Sequence, residues 1–157
     1  MDGLQEEAAL EIWQLTAREQ IRDLISAYAQ CADSGRFDEV VALFAEDGVL
    51  ETPDRTEHRG RDAIRGFLGG TKSALAGATT APWIRHHVSS IRLTVTSPTE
   101  ATGAAYFFVI TERGPDHWGR YRDRYVCREG LWQFAHRRVR LDGSAPGSWV
   151  ADSRRTR

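Results

Sequence analysis

Two adjacent histidines open a β-rich run, Trp83-Ile84-Arg85-His86-His87-Val88-Ser89-Ser90-Ile91-Arg92-Leu93-Thr94-Val95. Imidazole exchanges a proton near neutral pH without large tuning, so a base in this chain is expected on this stretch. Successive side chains on a strand point to opposite faces, so one histidine faces a core or pocket and the other turns away. Other chemistries have thinner support. Lys72 is the sole lysine among 21 basic residues, which leaves Schiff-base chemistry a single candidate. No pair of His, Asp or Glu residues shows a metal-ligand spacing. His58, His117 and His136 fall in loop or edge-like settings and receive no role.

The chain that must position these residues has 157 of them, enough for one domain with a real core. An apolar content of 41%, a charged content of 27% and a net charge of -1 describe an ordinary globular chain. They give no reason to expect a nucleic-acid groove or an anionic membrane partner. Cys31 and Cys127 are the only cysteines and lie far apart, which fits a reducing cytoplasm better than a disulfide framework. The acidic N-terminus lacks the pattern of a signal peptide, and no apolar run is long enough to span a bilayer. A cytoplasmic protein is the expectation.

Apolar residues at Ile21, Leu24, Ile25, Tyr28 and Ala32 recur at steps of three and four, predicting an amphipathic helix over about 16–32. Thr16 and Glu19 have capping-box spacing, and Ser34-Gly35 supplies a stop. Asp33 then falls at the helix end, where the dipole disfavours an acidic group unless something pairs with it. A second helix is expected from Phe37 through Phe44, a short strand at 49–52, and a third helix from Gly60 that ends at Gly69-Gly70. Residues 76–82 read as a loop or flap. From Trp83 the period changes, with β-like runs at 83–96, 100–111, 117–128 and 131–141 joined by turn signals. Helices followed by a curved antiparallel meander make an α+β fold with a cone-shaped cavity between the layers. Residues 1–15 read as an extension, 16–142 as the domain, and 143–157 as a partly disordered tail in which Trp149 alone has reason to dock.

This order of pieces resembles the SnoaL-like branch of the NTF2-like superfamily. The matching segments are Tyr28-Ala29-Gln30-Cys31-Ala32-Asp33, Phe37-Asp38-Glu39-Val40-Val41-Ala42-Leu43-Phe44-Ala45-Glu46-Asp47-Gly48, Arg59-Gly60-Arg61-Asp62-Ala63-Ile64, Arg85-His86-His87-Val88-Ser89-Ser90, Gly119-Arg120-Tyr121-Arg122-Asp123 and Leu131-Trp132-Gln133-Phe134-Ala135-His136-Arg137-Arg138-Val139. In dehydratase-type members an Asp near the end of the first helix pairs with a His on the first long strand, a Tyr assists one turn earlier, and an Arg on the last strand faces the pocket. The resemblance puts Asp33, His86, Tyr28 and Arg137 in those catalytic places. Two departures stand out. Ser90 occupies a position that often holds Asn, and the second histidine of the dehydratase pocket has no counterpart on the 100–111 run.

The resemblance implies His86 inside and His87 outside, whereas simple alternation groups His87 with Ser89, Ile91, Leu93 and Val95. A bulge between Val88 and Ile91 reconciles the two. Read without the resemblance, Asp33 is an exposed helix end, His86 a hydrogen-bonded core residue, and Tyr28 plain core. Arg138 is expected at the surface. Asp123 is either a pocket acid or a cross-strand partner of an arginine.

An aromatic candidate lining of Trp83, Tyr106, Phe108, Tyr121 and Tyr125, with Asp123, favours an apolar oxygenated substrate such as a polyketide, steroid or terpenoid. The leading expectation is a lyase, isomerase or cyclase of natural-product type that works without a cofactor. The alternatives are a non-catalytic ligand-binding or dioxygenase-small-subunit-like module, or an epoxide hydrolase arranging Asp33, Arg137 and Asp123 around a water. Relatives form dimers or trimers, so a homodimer or homotrimer is expected, with no nucleic-acid or membrane partner.

Overall fold

The structure, a computed structural model, describes residues 9–76, 83–148 and 150, without the side chains of 71–76. All but the first residue of the loop read at 76–82, together with Trp149 and residues 151–157, lies outside that description. Three helices, α1 (Ile12–Asp33), α2 (Phe37–Ala42) and α3 (Arg61–Ala76), pack on a sheet of six strands. These are β1 (Phe44–Glu51), β2 (Glu57–Arg59), β3 (Ile84–Ser97), β4 (Glu100–Thr111), β5 (Gly114–Arg128) and β6 (Leu131–Ser144). The order across the sheet is β2-β1-β6-β5-β4-β3. The four long strands form the expected antiparallel meander, but β1 pairs with β6 in parallel, so the sheet is mixed. Among the described residues no helix is long and apolar enough to cross a membrane.

Local differences from the sequence reading have physical causes. The first helix begins at Ile12, not at Thr16. The Glu11 backbone N–H donates to the Gln14 side chain at 2.9 Å, while the Thr16 hydroxyl donates back to the Ile12 carbonyl inside the helix. At the other end Gly35 takes a φ of 67°, the left-handed conformation that stops a helix most cheaply. The second helix ends at Ala42, and Phe44 already belongs to a strand. The third helix runs through Gly69-Gly70 to Ala76. Each glycine costs a helix roughly 1 kcal/mol, and burial of Ile64 and Leu68 on the same helix outweighs the local preference. The last strand extends to Ser144, two residues past the domain boundary read from the sequence.

Register shifts between the strands curve the meander. In β3 the pairing skips between Ser89 and Arg92, with Ser90 at a φ of 51°. That left-handed geometry suits Asn better than Ser, so the departure noted at this position is accommodated with some strain. In β5 Asp116 has no strand partner, and in β6 Ala135 is the extra residue. A bulge bends its strand and reverses the side-chain phase beyond it. On the concave side Ile21, Leu24, Ile25, Val40, Val41, Phe44, Ile64 and Phe134 form the main core. Gly103 on β4 makes room for side chains of the two neighbouring strands. A Cβ at Gly103 would meet Leu93 Cδ2 at 2.8 Å and Tyr125 Cε2 at 3.0 Å.

An ion pair stands inside this core. Arg137 is fully buried, with Nε 3.1 Å from Asp123 Oδ1 and Nη2 2.8 Å from Asp123 Oδ2. Tyr125 donates its hydroxyl to the same carboxylate at 2.8 Å. The guanidinium carbon lies 4.2 Å from the Tyr28 ring centroid and 4.1 Å from those of Tyr121 and Phe134, which gives the charge three aromatic faces. On the convex side, the buried Glu51 accepts from Arg138, Arg140 and His136. Burial alone would raise the Glu51 carboxyl, but hydrogen bonds and charge from Arg140 and Arg138 outweigh it and hold it at about 2.

Two outcomes follow for stability. Because the folded Glu51 carboxyl lies below its ordinary value of 4.5, its contribution is complete above about pH 4.5 and is lost as pH falls toward 2. Glu51→Gln should flatten this acid limb in urea-unfolding series taken across that window, and an unchanged limb would contradict the assignment. Asp123→Ala should cost about 3–5 kcal/mol, because it leaves Arg137 charged and buried without a partner. A loss below about 1 kcal/mol in the same unfolding measurement would show that the pair is not sealed as described.

Candidate active site

The C-terminal turn of α1 delivers Asp33 to the middle of the first β3 residues. Asp33 Oδ1 lies 2.6 Å from His86 Nδ1, and the carboxylate also accepts the His86 backbone N–H at 3.0 and 3.2 Å. The side chains are 8% and 19% exposed, respectively. A carboxylate at a helix C-terminus faces the negative end of the dipole, and these contacts compensate for it. An ionised carboxylate only accepts, so Nδ1 carries the hydrogen of this bond, and in the neutral ring it is Nε2 that keeps the lone pair.

The β3 bulge decides which histidine takes this role. Before it, Ile84, His86 and Val88 face the helices; after it, Ile91, Leu93 and Val95 do. His87 points to the opposite side and stacks on Phe108 with centroids 4.7 Å apart. Both phases of the strand are satisfied by one inserted residue.

Tyr28, one and a half turns before Asp33, sets its ring over Arg137. Burial pushes its hydroxyl pKa up, against the lowering effect of Arg137. Tyr121 shares the concave face and is raised by burial as well, so both phenols remain hydrogen-bond donors at neutral pH. Tyr28, Asp33, His86, Tyr121 and Arg137 thus converge on one region between α1 and the sheet.

The rest of the expected lining does not join them. Tyr106 and Phe108 lie on the convex face, 55% and 41% exposed, and Trp83 is exposed with Arg85 stacked 4.9 Å from its ring. On β4 the concave positions belong instead to Ala101, Gly103, Ala105, Phe107 and Val109. Asp123 and Tyr125 face inward but are sealed around Arg137, which makes Asp123 the cross-strand partner of an arginine and not an open pocket acid. Arg138 is at the surface, as expected.

One cluster escaped the sequence reading. The bulge at Asp116 turns both Asp116 and His117 inward, and Asp116 Oδ2 lies 2.7 Å from His117 Nδ1. The buried Ser148 hydroxyl donates to the same oxygen at 2.7 Å. Burial lowers the His117 pKa, partly offset by Asp116 and reinforced by the charge of His86. The signal available in sequence was an acidic residue directly before a histidine at a strand start, but its direction depends on the bulge.

Two open grooves, of about 370 and 650 Å³, lie away from the Asp33–His86 pair. The smaller is basic, lined by Arg92, Arg122, Arg124 and Arg138, and the larger is framed by Tyr106, Phe108 and Trp118, all on the convex face. Among the described residues Glu51, Glu57 and His136 bring three ligand-type atoms within 4.8 Å of one another. Glu51 already serves two guanidinium groups, so this set is an ion-pair cluster and not a vacant metal cage. Cys31 and Cys127 are both free thiols.

A family model described as a SnoaL-like domain matches residues 13–138. No curated protein matches the chain in sequence. Among solved structures, a scytalone-dehydratase-like protein from Novosphingobium aromaticivorans is 27% identical, covers 85% of this chain and 89% of its own, and superposes with a TM-score of 0.73. A protein of unknown function from Mycobacterium tuberculosis is 26% identical over 85% of this chain and 76% of its own, with a TM-score of 0.72. ActVI-ORFA from Streptomyces coelicolor shares the fold at 20% identity and a TM-score of 0.69, covering 81% of this chain and 98% of its own. With four-fifths of its length inside the family match, the chain belongs to the SnoaL-like domain family.

Proposed function

We propose that the chain is a cofactor-independent lyase, isomerase or cyclase in which His86 removes a proton from a carbon beside a carbonyl, or from one that loses water. The observation that carries this reading is the Asp33 carboxylate held 2.6 Å from His86 Nδ1 while it also grips the His86 backbone. That arrangement fixes the tautomer, presents Nε2 as the base, and stabilises the imidazolium that forms when the proton arrives. Tyr28 and Tyr121, kept protonated by burial, supply donors for an oxygen that gains charge as the proton leaves. Arg137 acts at one remove, because its charge is sealed against Asp123 and its aromatic neighbours. It sets the positions of Tyr28 and Tyr121 and biases the field they work in.

The apolar surroundings, with Val88, Ile91 and Phe107 near the pair, favour an apolar oxygenated small molecule of polyketide, steroid or terpenoid type. The likeness to a scytalone-dehydratase-like protein supports the dehydratase side of this range. The epoxide-hydrolase alternative needs Asp33, Arg137 and Asp123 around one water. It loses ground because Asp33 is engaged with His86 and the other two are engaged with each other. A purely structural subunit would have no need of the Asp33–His86 pair. The convex face bearing Tyr106, Phe108 and Trp118 would serve a homodimer or homotrimer.

Against a panel of such ketones and β-hydroxy ketones, His86→Ala should lower kcat by about 10²–10⁴-fold with the fold intact by circular dichroism. Asp33→Asn should lose nearly as much, since the amide hydrogen-bonds but cannot stabilise an imidazolium. Tyr28→Phe should retain more activity than either. The double variant at Asp33 and His86 should be little worse than His86→Ala, because residues acting as a unit are not additive. Equal turnover by wild type and His86→Ala would end this reading.

A further inference from the structure

The convex face of the sheet, opposite the Asp33–His86 pair, gathers charge of one sign. Strand register sets Arg92 across from Ala104, Ala104 across from Arg122, and Arg122 across from Arg138. One transverse row therefore reads Arg, Ala, Arg, Arg, and all three arginines are exposed. Arg124 stands in the next row, with Thr102 on one side and His136 on the other. Like charges directly opposite each other on a sheet repel. The chain as a whole carries a net charge of -1, so this is a local surplus and not a reflection of composition.

The carboxylates nearest the row are engaged elsewhere. Glu51 accepts from Arg138 at 2.7 Å and from Arg140 as well, and Asp142 holds Arg120 at 2.9 Å. Asp123 lies between Arg122 and Arg124 in sequence, but its carboxylate turns to the concave side and binds Arg137 at 2.8 Å. Among the described residues, Arg92, Arg122 and Arg124 have no ion-pair partner. These three border the groove of about 370 Å³, together with the hydroxyl-bearing Thr94 and Thr102. Ala104, the shortest side chain of the row, keeps the space between Arg92 and Arg122 open.

We propose that this groove is a binding site for a diphosphate group, either free or as part of an organic ester. Guanidinium forks match phosphoryl oxygens in geometry and hold them with charge-assisted hydrogen bonds. The backbones of Arg92 and Arg122 stand two strand spacings apart, about 10 Å, and Arg124 follows Arg122 by about 7 Å along its strand. Two linked phosphoryl groups span that triangle, so that each guanidinium meets a different oxygen. A single phosphate would instead draw three like charges onto one centre. A nucleic acid needs a basic track that continues, whereas this row ends at Arg138, which Glu51 already engages. The site lies across the sheet from His86, and it stands whether or not His86 is a base.

The test titrates inorganic diphosphate, adenosine diphosphate and orthophosphate into the full chain by calorimetry at low ionic strength. Wild type should bind diphosphate about tenfold or more tightly than orthophosphate, and added salt should weaken the binding. Arg92→Gln, Arg122→Gln and Arg124→Gln should each weaken diphosphate binding by about fivefold or more, through loss of a hydrogen bond to a charged group. Arg65→Gln removes the same charge from α3 and should stay within about twofold of wild type. The groove substitutions should leave the melting temperature of the free protein unchanged or raised, because they relieve repulsion along the row. Each should shrink the rise in melting temperature that diphosphate gives wild type. In unsubstituted protein, the Nε–Hε resonances of Arg92, Arg122 and Arg124 should move on adding diphosphate. Tighter binding of adenosine diphosphate than of inorganic diphosphate assigns the site to an ester, and equal or weaker binding assigns it to the free anion; both uphold it. Failure of wild type to bind diphosphate, equal affinity for diphosphate and orthophosphate, or a loss in Arg65→Gln as large as in Arg122→Gln overturns the inference. A convex face covered by a second copy of the chain would give the first of these results.

Discussion

The Asp33 carboxylate joins the C-terminus of α1 to the first long strand through one short bond to an imidazole and a shared bond to that residue's backbone N–H. Much else in the structure is arranged so that this contact exists. A helix C-terminus is an unfavourable place for an anion, so the strand must bring donors to it. The strand can bring His86 inward only if its phase reverses before Leu93, which must also face the core, and the bulge at Ser90-Ile91 supplies that reversal. A backbone contact to Asp33 also fixes the depth at which β3 crosses the helix, so the imidazole has little freedom left.

The second constraint is the buried Arg137–Asp123 pair. Its net contribution to stability is modest, because desolvating two charges offsets most of their attraction. Its structural consequence is larger. Three aromatic rings from α1, β5 and β6 must stack around the guanidinium, and Tyr28 is thereby placed within one and a half turns of Asp33. Charge, aromatic packing and the phenol hydroxyls are set by one arginine that itself reaches no solvent.

Much of this was legible in the sequence, and the residues show why the rest was not. The stripe through Ile21, Leu24 and Ile25 marked the first helix because burial follows helical period. The conflict between the two phases of β3 already required a bulge near Val88–Ile91, and the pairing breaks there. The parallel pairing of β1 with β6 was hidden because periodicity describes a strand and not its partner. Tyr106 and Phe108 misled for a different reason. Their size invited a lining role, yet the strand's alternation turns Ala101, Ala105, Phe107 and Val109 inward and leaves these two outside. His117 was given no role because it reads as an edge-like residue after a turn, and only the bulge at Asp116 turns both residues inward.

The claim that organises the account is the tautomeric state of one ring, and nitrogen NMR on protein labelled at histidine reads it directly. At neutral pH the account requires His86 with its hydrogen on Nδ1 and a bare Nε2, and Asp33→Asn should disturb that state without altering the other four histidines. A His86 ring protonated on Nε2, or one averaging freely between the two forms as a solvent-exposed histidine does, would contradict it.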